Sequence, residues 1–252
     1  MDKRSVKEQE DDELFFESYN DMVEFLDKRT NVSVIQQHNA EADDLIATWI
    51  QEHPEDNHVI ISTDSDFYQL IADNVTQYNG TTDQIVTLDG FKNAKTGEIV
   101  IDKKTNEPKK AVDPEWVLFE KCVRGDSSDN IFSAYPGARL KGTKNKTGIT
   151  EAYNDRHTGG YNYNNFMLQR WVDHEEQEHR VKDDFERNKI LIDLTQQPDE
   201  IKAECKQRIA EAKEQDTKQQ VGIYFMKFCA KYNLDRMSQH PNDYAEFMNG
   251  KC

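Results

Sequence analysis

The chain reads as an α/β protein: a parallel sheet in its first half, followed by a mainly helical second half. Three observations predict this. Short apolar runs alternate with amphipathic stretches over residues 32–63, carboxylates gather where the runs end, and helical spacing dominates after residue 113.

Taken in order, Asp11–Arg29 carries Phe15, Tyr19, Met22 and Leu26 at spacings of four, three and four. That is one apolar stripe of a helix opened by acidic residues. "NVSVIQQHN" follows as a β-branched strand. "NAEADDLIATWIQEH" predicts a helix with Asn39 as N-cap, Glu41, Asp43 and Asp44 in its first turns, and Leu45, Ile46, Trp49 and Ile50 as its buried face. His58–Thr63 is the next strand, and its Val59-Ile60-Ile61 run reads as buried. Residues 32–63 thus form a strand–helix–strand unit, the mark of a parallel sheet. Residues 75–111 are polar, and "QIVTLDG" and "GEIVID" suggest a hairpin inserted at the sheet edge. Asp113-Pro114 opens the helix "PEWVLFEKCVRG", which runs into "DSSDN". A Gly- and Lys-rich loop comes next, then helices over Glu200–Glu214, Gln219–Lys231 and Pro241–Met248.

Composition bounds the function. At 252 residues and 36% hydrophobic, the chain can bury one large core or two small ones. No apolar run reaches membrane-spanning length, and "MDKRSVKEQEDDE" lacks a signal-peptide core. Cys122, Cys205, Cys229 and Cys252 are scattered, without CxxC spacing, and read as reduced thiols of a cytoplasmic protein. A net charge of −16 argues against indiscriminate nucleic-acid binding. Within it, Tyr135–Arg156 holds Arg139, Lys141, Lys144, Lys146 and Arg156 against Glu151 and Asp155, a local basic island.

The acids carry the chemistry. In an open α/β sheet the usable crevice lies at the carboxyl ends of the strands, where Asp64 and Asp66 sit. Glu41, Asp43 and Asp44 open the neighbouring helix at the same edge, and Asp126 and Asp129 end a later helix. Two unit charges about 5 Å apart repel by about 3 kcal/mol at an effective dielectric of about 20. Divalent cations relieve such repulsion, and a set of Asp and Glu alone suits Mg²⁺ or Mn²⁺ better than zinc. Two such ions, about 3.5–4 Å apart, clamp a phosphodiester for in-line hydrolysis.

Each motif has a plainer reading. ExDD by itself is a helix N-terminus with dipole-favoured acids, DxD after a strand caps the next helix, and GDSSDN is a turn with a cap. One rival function is a haloacid-dehalogenase-type phosphatase, with Asp64 as nucleophile, Asp66 as acid and Asp126 and Asp129 on the metal. It leaves Glu41, Asp43 and Asp44 unexplained and places Phe67-Tyr68 where that family prefers Thr or Val. A second is a non-catalytic DNA-structure-binding protein. Tyr153, Tyr161 and Tyr163 read as packing or loop residues, and His38 as structural.

In order, "AEADDLIATW", "VIISTDSDFYQL", "KCVRGDSSDNI" and "FERNKILIDL" resemble the acidic motifs and flanks of the flap endonuclease/5′-nuclease family, whose core is PIN-like. "YPGARLKGTKNKTGITEAYNDR" is most similar to the bacteriophage branch called ribonuclease H or 5′-3′ exonuclease. The resemblance spans residues 10–235. It implies a Mg-dependent hydrolase that removes RNA primers and 5′ DNA ends or flaps during phage DNA replication. Glu41, Asp43, Asp44 and Asp64 would hold a first metal ion and Asp66, Asp126 and Asp129 a second. Asp43, Asp64 and Asp66 would be the catalytic acids. Arg139, Lys141, Lys144 and Lys146 would contact phosphates beyond the scissile bond, in a sequence-independent and salt-sensitive way.

The resemblance also predicts domains and partners. Residues 1–125 would be a partial PIN-like nuclease core with the acidic metal site. Residues 126–252 would be a helical region with a helix–turn–helix-type duplex-binding element, its usual Gly-x-Gly turn replaced by "PGARLKGTKNKTG". The expected partners are a duplex or RNA–DNA hybrid with a 5′ end or flap, and a single-strand-binding or clamp protein. Family members begin with an Asp-bearing strand and a helical arch; neither precedes Glu41, and "DKRSVKEQEDDELFF" resembles the end of that arch. The expectation is an N-terminally incomplete core, from a truncated gene, an inactive relic or a split enzyme whose separate N-terminal fragment is a further partner. Alone it would bind metal weakly.

Overall fold

The computed structural model describes residues 6–250. In chain order it contains α1 (Val6–Arg29), α2 (Ala42–Glu52), β1 (His58–Ile61), a 3₁₀ turn (Ser65–Leu70), β2 (Val75–Asn79), β3 (Gln84–Thr87) and β4 (Gly90–Asn93). There follow α3 (Pro114–Arg124), α4 (Ile149–Asn154), α5 (Tyr161–Met167), β5 (Arg170–Val172), β6 (Glu178–Arg180) and α6 (Val181–Ile192). Last come α7 (Asp199–Lys213), α8 (Val221–Lys231), α9 (Asp235–Ser238) and α10 (Pro241–Asn249). Residues 41–202 form one compact unit; residues up to 40 join those from 203 onward in another.

In the 41–202 unit the strands lie in the order β1-β2-β3-β4, with β1 and β2 parallel and the rest antiparallel. The parallel pair forms because α2 and the 3₁₀ turn supply one apolar cover: Ile60, Phe67 and Val75 are buried together against Ile46, Ile50 and Leu70. The expected hairpin exists, but "QIVT" pairs with Gly90–Asn93 instead of with "GEIVID". "GEIVID" joins β4 through one bridge, Ile99 to Lys92, with the Val100 amide donating to the Phe91 carbonyl at 2.8 Å. In the same unit, α3, α4, α5 and α6 enclose a second core around Phe119, Val123, Ile149, Phe166, Val181 and Phe185. The expected boundary between residues 125 and 126 lies inside this unit.

Three expectations need correction. The run Val59-Ile60-Ile61 is not buried throughout: Ile60 is 6% exposed, whereas Val59 is 63% and Ile61 78% exposed. Successive strand residues face opposite ways, and β1 has one covered face and one neighbour. Second, Val32–Gln37 forms no strand, because no neighbouring strand bonds to it among the described residues. Third, the N-cap of α2 is Glu41 and not Asn39. The Asp44 carboxylate accepts from the Glu41 amide at 3.1 Å and starts the helix there.

The other unit is helical. Phe25 of α1 stacks on Phe228 of α8 with centroids 4.7 Å apart, beside Phe225 and Cys229. The expected α1 stripe is therefore mostly not its buried face: Phe15, Tyr19 and Met22 are exposed, and Leu26 alone joins the cluster. Asn31 ties the early and late segments. Its amide donates to the Met248 carbonyl at 2.8 Å, and its side-chain oxygen accepts from the Lys218 amide at 2.6 Å. His38 is exposed. Cys122, Cys205 and Cys229 are buried and in no disulfide; Cys252 lies outside the described residues. Among the described residues no helix is long and apolar enough to cross a membrane.

Candidate metal centre and nucleic-acid interface

β1 ends where the Ser62 amide donates its last ladder bond to the Tyr78 carbonyl, at 3.1 Å. The chain then turns through Asp64 and Asp66. The Asp64 carboxylate caps the 3₁₀ turn by accepting from the Asp66 amide at 2.9 Å, so the capping reading of DxD is correct for one oxygen. Gln77, fully buried on β2, donates its side-chain amide to the carbonyls of Ser62 (2.9 Å) and Asp64 (2.7 Å). This clamp holds the acidic turn to the sheet. Sequence reading passed over it, since a polar residue in a strand gives no sign of which carbonyls it will meet.

Asp126 and Asp129 sit in a closed loop after α3. The Asp126 amide donates to the Ile131 carbonyl (2.8 Å) and the Ile131 amide donates back (2.7 Å). The loop needs Gly125. Its φ is +74°, and a Cβ there would lie 2.3 Å from the Ile131 carbonyl oxygen. Buried Asn188 of "FERNKIL" donates to the carbonyls of Cys122 and Phe132, fastening α3 and the loop to α6. Gln69 pins the other acidic turn to the same helix end, donating to the Ile192 carbonyl and accepting from the Leu194 amide. The resemblance-bearing motifs therefore interlock.

The result is one compact oxygen set. Asp66, Asp126 and Asp129 each offer a carboxylate oxygen, all within 4.8 Å of one another. Lys121, in the last turn of α3, places its ammonium against Asp66 and 2.6 Å from Asp126. The Lys121 bond, helped by Ser128, holds the Asp126 carboxyl well below the usual carboxylate range. Burial works against the Lys121 charge, but its bonds to Asp126 and Asp66 outweigh burial and raise its pKa. The donor set fits a hard divalent cation: only carboxylate oxygens, with a positive group already standing among them. Lys121 was missed in the sequence, although its place five residues before Asp126 was a usable signal.

The α2 acids are arranged differently. Burial, then the charges of Asp44 and Asp64, raise the Asp43 pKa, which puts Asp43 within electrostatic reach of Asp64. Asp44 is engaged as a helix cap and Glu41 stands exposed at the cap. Among the described residues Glu41, Asp43, Asp44 and Asp64 do not close into a three-carboxylate group as the other acids do.

The basic loop is exposed at the side chain and fixed at the backbone. Arg139, Lys141, Lys144 and Lys146 all face solvent, and among the described residues none has an ion-pair partner. Glu151 of α4 accepts from the amides of Gly142 (2.9 Å) and Gly148 (3.0 Å), and the Thr143 amide donates to the Lys146 carbonyl (2.7 Å). A Cβ on Gly148 would meet the Gly142 nitrogen at 2.3 Å, so this close approach requires glycine. Arg156, counted in the same island, instead pairs with Glu115 and lies over the Tyr153 ring. Tyr153 packs on Trp116 and Phe119, Tyr163 joins that core, and Tyr161 is exposed.

A parallel strand end, an acidic turn and a GDSSDN loop thus converge on one oxygen cluster, and the comparisons with known proteins bear on the same motifs. Residues 6–97 match the family described as "5'-3' exonuclease, N-terminal resolvase-like domain". It is 30% identical over 130 residues to DNA polymerase I of Rhizobium leguminosarum, a match covering 51% of this chain and 11% of that one. The chain thus spans about a tenth of that relative's length. Its fold is similar to that of the bacteriophage T5 D15 protein crystallised with metal ions, at TM-score 0.50 and 21% identity over 96% of this chain and 74% of that one. It is similar also to the T5 D15 flap endonuclease in complex with DNA and metal ions, at TM-score 0.51 and 22% identity over 97% and 73%. The fold is accordingly that of a PIN-like 5′-nuclease core with a helical C-terminal region.

Proposed function

We propose that this chain works as a metal-dependent 5′-3′ exonuclease and flap endonuclease, acting on RNA primers and 5′ DNA ends or flaps in phage DNA replication within the host cytoplasm. The observation that carries the reading is the Asp66–Asp126–Asp129 oxygen cluster at the mouth of the parallel strand pair. These three would hold one divalent ion; Glu41, Asp43, Asp44 and Asp64 would hold the other. Bound there, such ions neutralise charge on the scissile phosphate and lower the pKa of the attacking water.

The protein's own groups orient and bind. Gln77 and Gln69 fix the turn that presents Asp64 and Asp66, and Asn188 fixes the loop that presents Asp126 and Asp129. Asp43, with its raised pKa, keeps a proton to higher pH than an ordinary carboxyl. Arg139, Lys141, Lys144 and Lys146 would take backbone phosphates of the duplex, with no sequence preference. The phosphatase reading gives neither α2 nor the basic loop a role.

A second strand-bearing partner also fits. Among the described residues β1 pairs on one side only, leaving a backbone edge of the kind that takes another strand, and Val59 and Ile61 on its uncovered face are exposed. A separate N-terminal nuclease fragment seated there would complete the α2 acid set; a single-strand-binding or clamp protein is a further proposed partner. The test is cleavage of a 5′-flap duplex in Mg²⁺ and in EDTA, with and without a supplied N-terminal segment. Mg-dependent cleavage, stronger with the segment, is expected. Cleavage unaffected by EDTA, or none with the segment and Mg²⁺ present, would overturn the reading.

A further inference from the structure

Among the described residues, the one cation built into the acidic centre is Lys121. Its ammonium bridges Asp66 and Asp126, reaching the latter at 2.6 Å, while Asp129 has no ion pair with it. The bridge is shielded: the side chains of Lys121, Asp66 and Asp126 are 21%, 25% and 11% exposed. Three ionised carboxylates with one ammonium leave a net charge of −2, which one divalent cation balances. The oxygens that hold the ammonium belong to the same set that would hold the ion.

Resting on the metal-centre reading above, we propose that Lys121 is an internal counterion that competes with the second metal ion. With no metal bound it holds Asp66 and Asp126 together, so the centre stays assembled in spite of its charge. Binding of a divalent cation to those oxygens requires the ammonium to leave them. Lys121 is thus a positioning residue that weakens metal affinity in exchange for a preformed site. Two carboxylates about 5 Å apart repel by about 3 kcal/mol at intermediate dielectric, which is the repulsion the ammonium relieves.

The test measures Mn²⁺ binding by electron paramagnetic resonance and melting temperature in EDTA and in excess Mn²⁺. It compares the wild-type chain with Lys121→Met, Lys121→Arg and Asp126→Asn. Lys121→Met is expected to bind Mn²⁺ on the order of tenfold more tightly, since a competing charge has gone. It should melt earlier in EDTA and recover with Mn²⁺, while Lys121→Arg stays near the wild type. Unchanged or weaker Mn²⁺ binding by Lys121→Met would overturn the proposal. If Lys121→Met does not fold, ¹³C-dimethylated Lys121 in the wild-type chain decides: its resonance should shift with the Mg²⁺ binding curve, and no shift would overturn it. Mn²⁺ binding insensitive to Asp126→Asn would instead sink the metal-centre reading.

Discussion

The acidic centre and the basic loop are two concentrations of like charge, handled in opposite ways. At Asp66 and Asp126, with Asp129 exposed beside them, the charges are half-buried, so the chain supplies its own counterion, Lys121, and anchors each carboxylate-bearing turn through buried amides. At Arg139, Lys141, Lys144 and Lys146 the charges stand in water and go uncompensated, while the backbone beneath them is fixed by Glu151. Screening by water makes exposed like charges cheap, whereas burial makes them costly unless paired. The proposed hard-cation site and the proposed phosphate-binding surface need these two opposite solutions.

The largest test removes a carboxylate. Asp126→Ala or Asp66→Ala should lower 5′-flap cleavage by about 10³-fold or more, since several kcal/mol of charge stabilisation are lost. Single-turnover rates check this, and near-normal rates would break the assignment of this side of the comparison. Next, Gly125→Ala should destabilise the 41–202 unit by about 2–3 kcal/mol, because a β-carbon meets the Ile131 carbonyl at a positive φ. Denaturant unfolding measures the loss, and Mn²⁺ binding should weaken alongside it.

On the basic side, Glu151→Ala leaves the Gly142 and Gly148 amides without an acceptor, at a cost of about 1–3 kcal/mol. KM for DNA should rise more than kcat falls, because the loop binds and does not react. Lys144→Ala should weaken duplex binding only a few-fold for any sequence, and lower the slope of log affinity against log salt by about 0.9. Fluorescence anisotropy across salt concentrations would show an unchanged slope if this lysine touches no phosphate.

The smallest effect concerns a third charged place. The bond from Asp173, against burial and with help from Asp184, raises the pKa of His179, which stacks on Trp171. A raised folded pKa gives stability that is full below the unfolded value, near 6.5, and is lost as pH rises through the folded value. Melting temperature should therefore drop slightly from about pH 6.5 upward, and His179→Gln should remove that dependence.

Much of this was legible. The Asp113-Pro114 opening of α3 and the helices near residues 200, 220 and 241 follow from local rules of capping and spacing, and they formed as read. The GDSSDN and DxD acids were found because strand ends and turn residues announce themselves in sequence. Lys121, Gln77, Gln69 and Asn188 were not found, since each works through at least one partner between 13 and 123 residues distant. The α1 stripe misled for a related reason: helical spacing says which residues share a face, and not which face a neighbour will cover.

By itself the sequence determined the chemical alphabet of this protein: hard-oxygen carboxylates at a strand end, a basic loop after them, and helices to carry both. These rest on local physics, on capping, period and charge, that acts over a few residues. Tertiary structure alone decided that Asp66, Asp126 and Asp129 close into one set while the α2 acids do not. It also placed an ammonium among them and, among the described residues, left β1 paired on one side only. Those outcomes depend on which distant backbones meet, and no spacing within a single motif encodes that.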